Sequence, residues 1–254
     1  MSQLLTLVIN LDRAVERLAR ITGALEALGM AWQRLPAVDG SQLSEAERRT
    51  AIDEQKFQRN RGMPSVPGEL GCYLSHAGAM RHLLASDAQF ALILEDDAIP
   101  GNDLTAVLGG LMSHPDRWDM VKLSAVHSGT PVRVLKLTDS HWLAVMFSSC
   151  TGASAYLVNR RAAQIYQDQL LPMTVQVDHV LDKGWRFGIK VRLVTPQPVR
   201  HDESVPTTIL QLPGAGPRKF HWSRRLPSYF YRLGNETRRL HYAIREYWGE
   251  WRRR

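Results

Sequence analysis

The chain lacks the residues that build a disulfide framework, a zinc site or a membrane span. Only two of its 254 residues are cysteine, Cys72 and Cys150. They stand alone, without the paired spacing of a zinc site, and with no secretory signal they predict a reducing cytoplasm and free thiols. No apolar run reaches 18 residues, so no bilayer-spanning helix is expected. The first residues, MSQLLTLVINLD, carry no basic n-region and reach Asn10 and Asp12 too soon for a signal peptide, so they read as a first strand. Repeats and low-complexity segments are absent too. Surplus positive charge is missing from most of the chain. Residues 1–216 hold 21 Lys/Arg against 22 Asp/Glu, whereas residues 217–254 hold 11 against 3. The basicity is a property of the tail, and such a tail suits an anionic surface.

What remains is an ordinary globular composition, 44% hydrophobic, long enough for one sizeable α/β domain or two small ones. LLTLVI (4–9) has strand length. From Asp12, a candidate cap, Val15, Leu18, Ile21, Leu25 and Leu28 recur at helical spacing up to Gly29. AWQRLPAV (31–38) reads as a second strand ending at Asp39-Gly40. Ser44 and Glu47 spell a capping box for a helix to about Phe57. A Gly/Pro loop precedes the helical ELGCYLSHAGAMRHLLA, and FALILE (90–95) is a strand apolar on both faces. Asp103 is a candidate cap for a helix to about His114. WDMVKLS, LAVMFS and SAYLVN are further strand candidates, Arg160 to Leu171 is helical, and RFGIKVRLV (186–194) alternates like a half-exposed strand; residues 194–208 read as a loop. Alternating strands and helices imply a mostly parallel sheet flanked by helices, with ligands at the strands' carboxyl ends. Asn10, Asp39 and the acids after FALIL all lie at such ends.

Those acids are Glu95-Asp96-Asp97. Adjacent carboxylates repel unless a cation lies among them, and Mg²⁺ or Mn²⁺ bridged to a phosphate is the economical answer. A solvated acidic turn is the simpler alternative. The same acids would also serve a metal-dependent phosphohydrolase or nucleotidyltransferase.

Four segments in fixed order narrow the choice: VINLDRAVERLARI with AVDG, then GELGCYLSH, then ALILEDDAIP, then ASAYLVNRRAA with VDHVL. Over residues 4–205 the chain resembles glycosyltransferase family 25, the bacterial lipooligosaccharide galactosyltransferases related in sequence to the collagen galactosyltransferases. The resemblance implies a GT-A-like, Rossmann-type catalytic domain (1–215) and inverting transfer from a UDP-sugar to a glycolipid or oligosaccharide acceptor, aided by Mn²⁺ or Mg²⁺. In that frame Asp97 is the leading metal ligand, with Glu95 and His201 as further candidates. Glu95 and Asp96 also face the donor as alternatives. Asn10 and Asp39 suit the uridine, and Arg13 and Arg17, one helical turn apart, suit phosphate. Glu69 and His76 lie on a helix bordering the donor, His76 being either catalytic or structural. Lys122 is either a donor or acceptor contact or an exposed strand-end lysine. Asp178 matches the VD motif and is the candidate base, with a helix N-cap as its alternative role and Asp182 as the fallback base.

The tail, residues 216–254, lies outside the resemblance. It sets Leu226, Phe230, Leu233, Leu240, Ile244, Trp248 and Trp251 near helical spacing among arginines. One expectation is a basic amphipathic helix on an anionic membrane surface, which would make the protein peripheral on the inner face of the cytoplasmic membrane. A helix docked on the catalytic domain is the second. No recognised module supports nucleic-acid binding. A non-catalytic membrane-surface protein with a degenerate site is the last alternative.

Overall fold

The computed structural model describes residues 3–202 and 219–253. The chain opens with β1 (Leu4–Asn10), buried through its second half. In α1 (Val15–Ala27) Ile21 and Leu25 face the sheet, and Gly29, at φ 67°, follows the helix as its spacing predicts. The expected cap at Asp12 is not made. Ala14 occupies that position, and Asp12 stays outside, paired with Arg34. After β2 (Gln33–Pro36), Ser44 and Glu47 form their capping box, but the helix they start is interrupted. α2 (Glu45–Ala51) ends at Ile52, which turns extended to bridge Met173. Asp53 then caps a second helix, α3 (Glu54–Arg61), by accepting from Lys56 N.

α4 (Pro67–Ala85) leads into β3 (Phe90–Glu95), buried on both faces as its unbroken apolar run implies. β4 (Ala98–Pro100) and α5 (Leu104–Met112) follow. Asp103 precedes α5 without capping it, because its carboxylate turns instead to His141 Nε2 at 3.0 Å. Then come β5 (Met120–Lys122), β6 (Pro131–Lys136), β7 (Trp142–Met146), β8 (Ala155–Asn159), α6 (Arg160–Gln169), α7 (Val177–Leu181), α8 (Gly184–Phe187), β9 (Val191–Thr195), β10 (Val199–His201) and α9 (Leu226–Trp251). Strand β6 has no counterpart among the sequence expectations. From residue 203 the expected loop lies outside the described residues, as does the expected domain boundary at 215/216.

Eight strands form one mixed sheet in the order β2-β1-β3-β8-β5-β9-β7-β6. Six run one way, and only β7 and β8 oppose them. Alternate residues of the central strands feed two cores. Leu7, Ile93 and Tyr156 pack with α4 and α6, whereas Val8, Leu92 and Leu157 pack with α1 and α5. A separate two-stranded ribbon pairs β4 with β10.

Residues 186–194 depart from the half-exposed strand expected of them. The first part is helical, and β9 lies between β5 and β7, almost wholly buried. Its Arg192 is fully buried and paired with Glu246 (2.8 Å) and Glu250 (3.1 Å) of α9. The alternation is therefore that of an interior strand whose charge is met by a distant helix.

Helix α9 docks along the domain. Tyr242 donates its hydroxyl proton to Ile189 O and accepts from Val191 N, both at 2.8 Å. Arg239 pairs with Asp182 at 2.8 Å, and Arg117 with Glu250. Its other face leaves Phe230, Leu233, Trp248 and Trp251 more than half exposed. No helix among the described residues is long and apolar enough to cross a membrane.

Candidate active site

The carboxyl ends of β1 and β3 open into a cavity of about 410 Å³. Glu95, Asp96 and Asp97 line it together, yet each is held by different neighbours. Glu95 meets His76 Nε2 at 2.9 Å, and Cys72 Sγ donates to the same oxygen at 3.6 Å. Behind it, Tyr156 donates to His76 Nδ1 at 2.8 Å, which leaves the Nε2 proton for Glu95. Burial pushes the Glu95 carboxyl up, but the hydrogen bonds from His76 and Cys72 help outweigh it and hold the group below its usual range. Asp96 accepts from Asn10 Nδ2 at 2.7 Å and pairs with Arg17; burial still raises its pKa.

Asp97 is the least compensated. Arg17 lies 3.2 Å from Oδ2, and His201 Nδ1 lies 3.5 Å from Oδ1, yet Oδ1 is buried and makes no hydrogen bond among the described residues. Burial, with the Glu95 charge beside it, pushes its pKa up to about 7. A buried carboxylate oxygen without a partner, facing an imidazole, fits a divalent cation, and this oxygen–nitrogen donor pair is compatible with Mn²⁺. The ribbon makes this meeting: His201 of β10 is in register with Ala98 of β4, next to Asp97.

Two glycines lock the neighbouring wall. A Cβ on Gly40 would lie 1.7 Å from Pro67 O, and one on Gly71 would lie 2.4 Å from Val38 O. The AVDG turn thus sits directly on the first turns of α4, pinned by Val38 N donating to Ser75 Oγ at 2.9 Å. Asp39 is thereby held at the cavity. It accepts from Ser41 Oγ (2.6 Å) and Ser41 N (3.0 Å) and pairs with Arg13, and these bonds lower its pKa.

α3, α4 and α7 supply the rest. Asp178 lies in the first turn of α7, accepting from His179 N at 2.9 Å and Gly152 N at 3.4 Å. It is not the N-cap, which is Gln176. Glu69 accepts from Val66 N and from Gln176 Nε2 (2.8 Å), so it braces this wall. Burial lowers the pKa of neighbouring His179 to about 4.

Ten of the expected site residues therefore line one cavity: Asn10, Arg13, Arg17, Asp39, Glu69, Glu95, Asp96, Asp97, Asp178 and His201. His76 stands behind Glu95, fully buried. Two expectations fail on geometry. Lys122 is fully buried rather than at the cavity, donating to the carbonyls of Cys150 (2.5 Å) and Gly152 (2.9 Å). Asp182, the fallback base, is buried against Arg239 and Cys150 N. Missed were Arg61, Gln176 and His179, which reach the cavity from two helices. For His179 and Gln176 the adjoining VD motif was a usable signal; for Arg61 there was none.

Comparison with known sequences gives the family. The sequence pattern of glycosyltransferase family 25 (LPS biosynthesis protein) matches residues 3–181, and the chain belongs to that family. A glycosyltransferase 25 family member of Anopheles gambiae is 33% identical over 96 residues, 35% of this chain and 16% of that protein. One from Aedes aegypti is 35% identical over 97 residues, 35% of this chain and 15% of that protein. The matched stretch thus spans about a sixth of these curated relatives. Among solved structures, a glycosyltransferase involved in glycosylating the major capsid of PBCV-1 overlaps 91% of this chain and 98% of its own, at 7% identity and TM-score 0.44. A Drosophila β-1,4-galactosyltransferase 7 mutant, complexed with manganese, UDP-Gal and xylobiose, covers 78% and 70%, at 13% identity and TM-score 0.38. Overlaps this loose do not by themselves assign a fold. The GT-A-like character rests on the parallel β2-β1-β3 edge, the acids ending β3 and the opposed strand β8 beside it.

Proposed function

We propose that the protein is a metal-dependent, inverting glycosyltransferase that moves a sugar, galactose as the favoured case, from a UDP-sugar to a glycolipid or oligosaccharide acceptor of the lipooligosaccharide core type. The observation that carries this reading is the orphaned Asp97 Oδ1 facing His201 in the cavity that Asp178 also lines. Asp97 and His201 would hold Mn²⁺ or Mg²⁺, which when bound neutralises charge on a diphosphate leaving group. Arg17, already beside Asp96 and Asp97, adds a fixed positive charge there. Asp39 presents carboxylate oxygens to the nucleoside, whereas Asn10, its amide hydrogens given to Asp96 and Ala14 O, holds the acid beside it. Asp178, held by two backbone N–H groups, takes the proton from the acceptor hydroxyl as that oxygen attacks the anomeric carbon.

The exposed apolar stripe of α9, flanked by Arg224, Arg232, Arg238, Arg245 and Arg252, supports peripheral binding to an anionic leaflet, here the cytoplasmic face of the inner membrane. Incubation with UDP-sugars, Mn²⁺ and lipooligosaccharide core acceptors tests the catalytic reading through UDP release. Asp97→Ala should abolish the metal-stimulated part. Asp178→Asn should keep UDP affinity within about twofold while transfer falls by on the order of 10²-fold or more. No turnover by folded wild-type protein with any donor and acceptor would remove the reading.

A further inference from the structure

Three arginines line the cavity, and two are already paired: Arg13 with Asp39, and Arg17 with Asp96 and Asp97. The third, Arg61, ends α3 and forms no ion pair or hydrogen bond among the described residues, and its Nε is buried without a partner. The Asp178 and Glu69 charges act on it favourably, and that of Arg232 on α9 unfavourably. Glu69 is itself engaged with Val66 N and Gln176. Arg186 and Arg238 add to the positive field around Tyr231, whose hydroxyl accepts from Lys183 Nζ at 2.5 Å. A guanidinium kept partly desolvated beside like charges has unspent capacity for an oxyanion, and its forked donors match one.

We propose that Arg61 recognises an anionic group on the acceptor, a phosphate or a carboxylate on a sugar. The placement supports the acceptor rather than the donor: Arg61 acts on the Asp178 side, whereas the strand-end acids carry their own arginines. This rests on the glycosyltransferase reading, because only that reading makes the Asp178 side an acceptor site.

The test uses the full chain with saturating UDP and Mn²⁺, titrated with glucose 6-phosphate, glucuronate and glucose. Wild-type protein should bind at least one of the two charged sugars about tenfold or more tightly than glucose. Arg61→Gln should erase that preference, and Arg61→Lys should retain part of it. UDP affinity should not change in any variant. Whichever charged sugar binds better names the anion. Equal binding of charged and neutral sugars by wild type, an unaltered preference in Arg61→Gln, or weakened UDP binding in that variant would overturn the proposal. Should Arg61→Gln fail to fold, Arg61→Met carries the same comparison. A separate UDP titration, with sugar titrations repeated without UDP, keeps the two readings apart: absent UDP binding counts against the glycosyltransferase reading, whereas the charged-sugar preference is read independently.

Discussion

Three carboxylates side by side remain compatible with a folded strand end because each finds a different counterpart. Glu95 leans back on His76 and Cys72, Asp96 is held by Asn10 and Arg17, and Asp97 keeps a buried oxygen free. The acidic run was readable in one dimension, but the division of labour was not, since His76, Asn10 and Arg17 come from other elements. The same holds for positive charge. Lys183 is buried beside Arg186 and Arg239, and burial followed by those charges lowers its pKa to about 7, with Asp182 opposing. Its folded pKa lies below the unfolded value of 10.5, so from about pH 7 to 10.5 the unfolded chain binds the extra proton and stability rises with pH. Lys183→Met should remove that rise. Denaturant unfolding across this window should show wild type gaining on the variant, on the order of a few kcal/mol.

At the scale of elements, the site is a product of close approaches. The AVDG turn and α4 touch through Gly40 and Gly71, which explains why two short segments 30 residues apart both carry glycine. Gly40→Ala would drive a methyl into Pro67 O. We expect it to cost about 3 kcal/mol and to displace Asp39, read as a lower melting temperature together with weakened UDP binding. The β4–β10 ribbon brings His201 to Asp97 across a long sequence gap. Periodicity found α1, α4 and β3 because each has one unbroken pattern. It missed the α2/α3 break, where Ile52 leaves the helix to bridge Met173, and it took β9 for a half-exposed strand because a charged residue inside a strand looks solvated until its partner is known.

Across the whole molecule, α9 joins the catalytic domain through buried charge. Glu250 serves Arg117 and the fully buried Arg192 together. Glu250→Gln leaves Arg117 without its counter-charge and Arg192 with Glu246 alone, and should lower stability by roughly 3 kcal/mol in urea unfolding. The outer face of the same helix is a separate matter. Phe230→Ser combined with Leu233→Ser should cut sedimentation with anionic vesicles about tenfold. Because both side chains are exposed, stability should stay within about 0.5 kcal/mol of wild type. Unchanged vesicle binding would count against the membrane role of that face.

By itself the sequence determined what local patterns can encode: the α/β alternation, the acid-ended strand, the capping box at Ser44 and the basic, amphipathic character of the last helix. Only the tertiary structure decided which charges meet. It turned Lys122 and Asp182 inward, left Arg61 without an ion pair among the described residues at the cavity, and buried Arg192 against glutamates of α9 more than 50 residues away. The physical reason is that a charge is read by its surroundings, and those are assembled from segments whose proximity no local periodicity records.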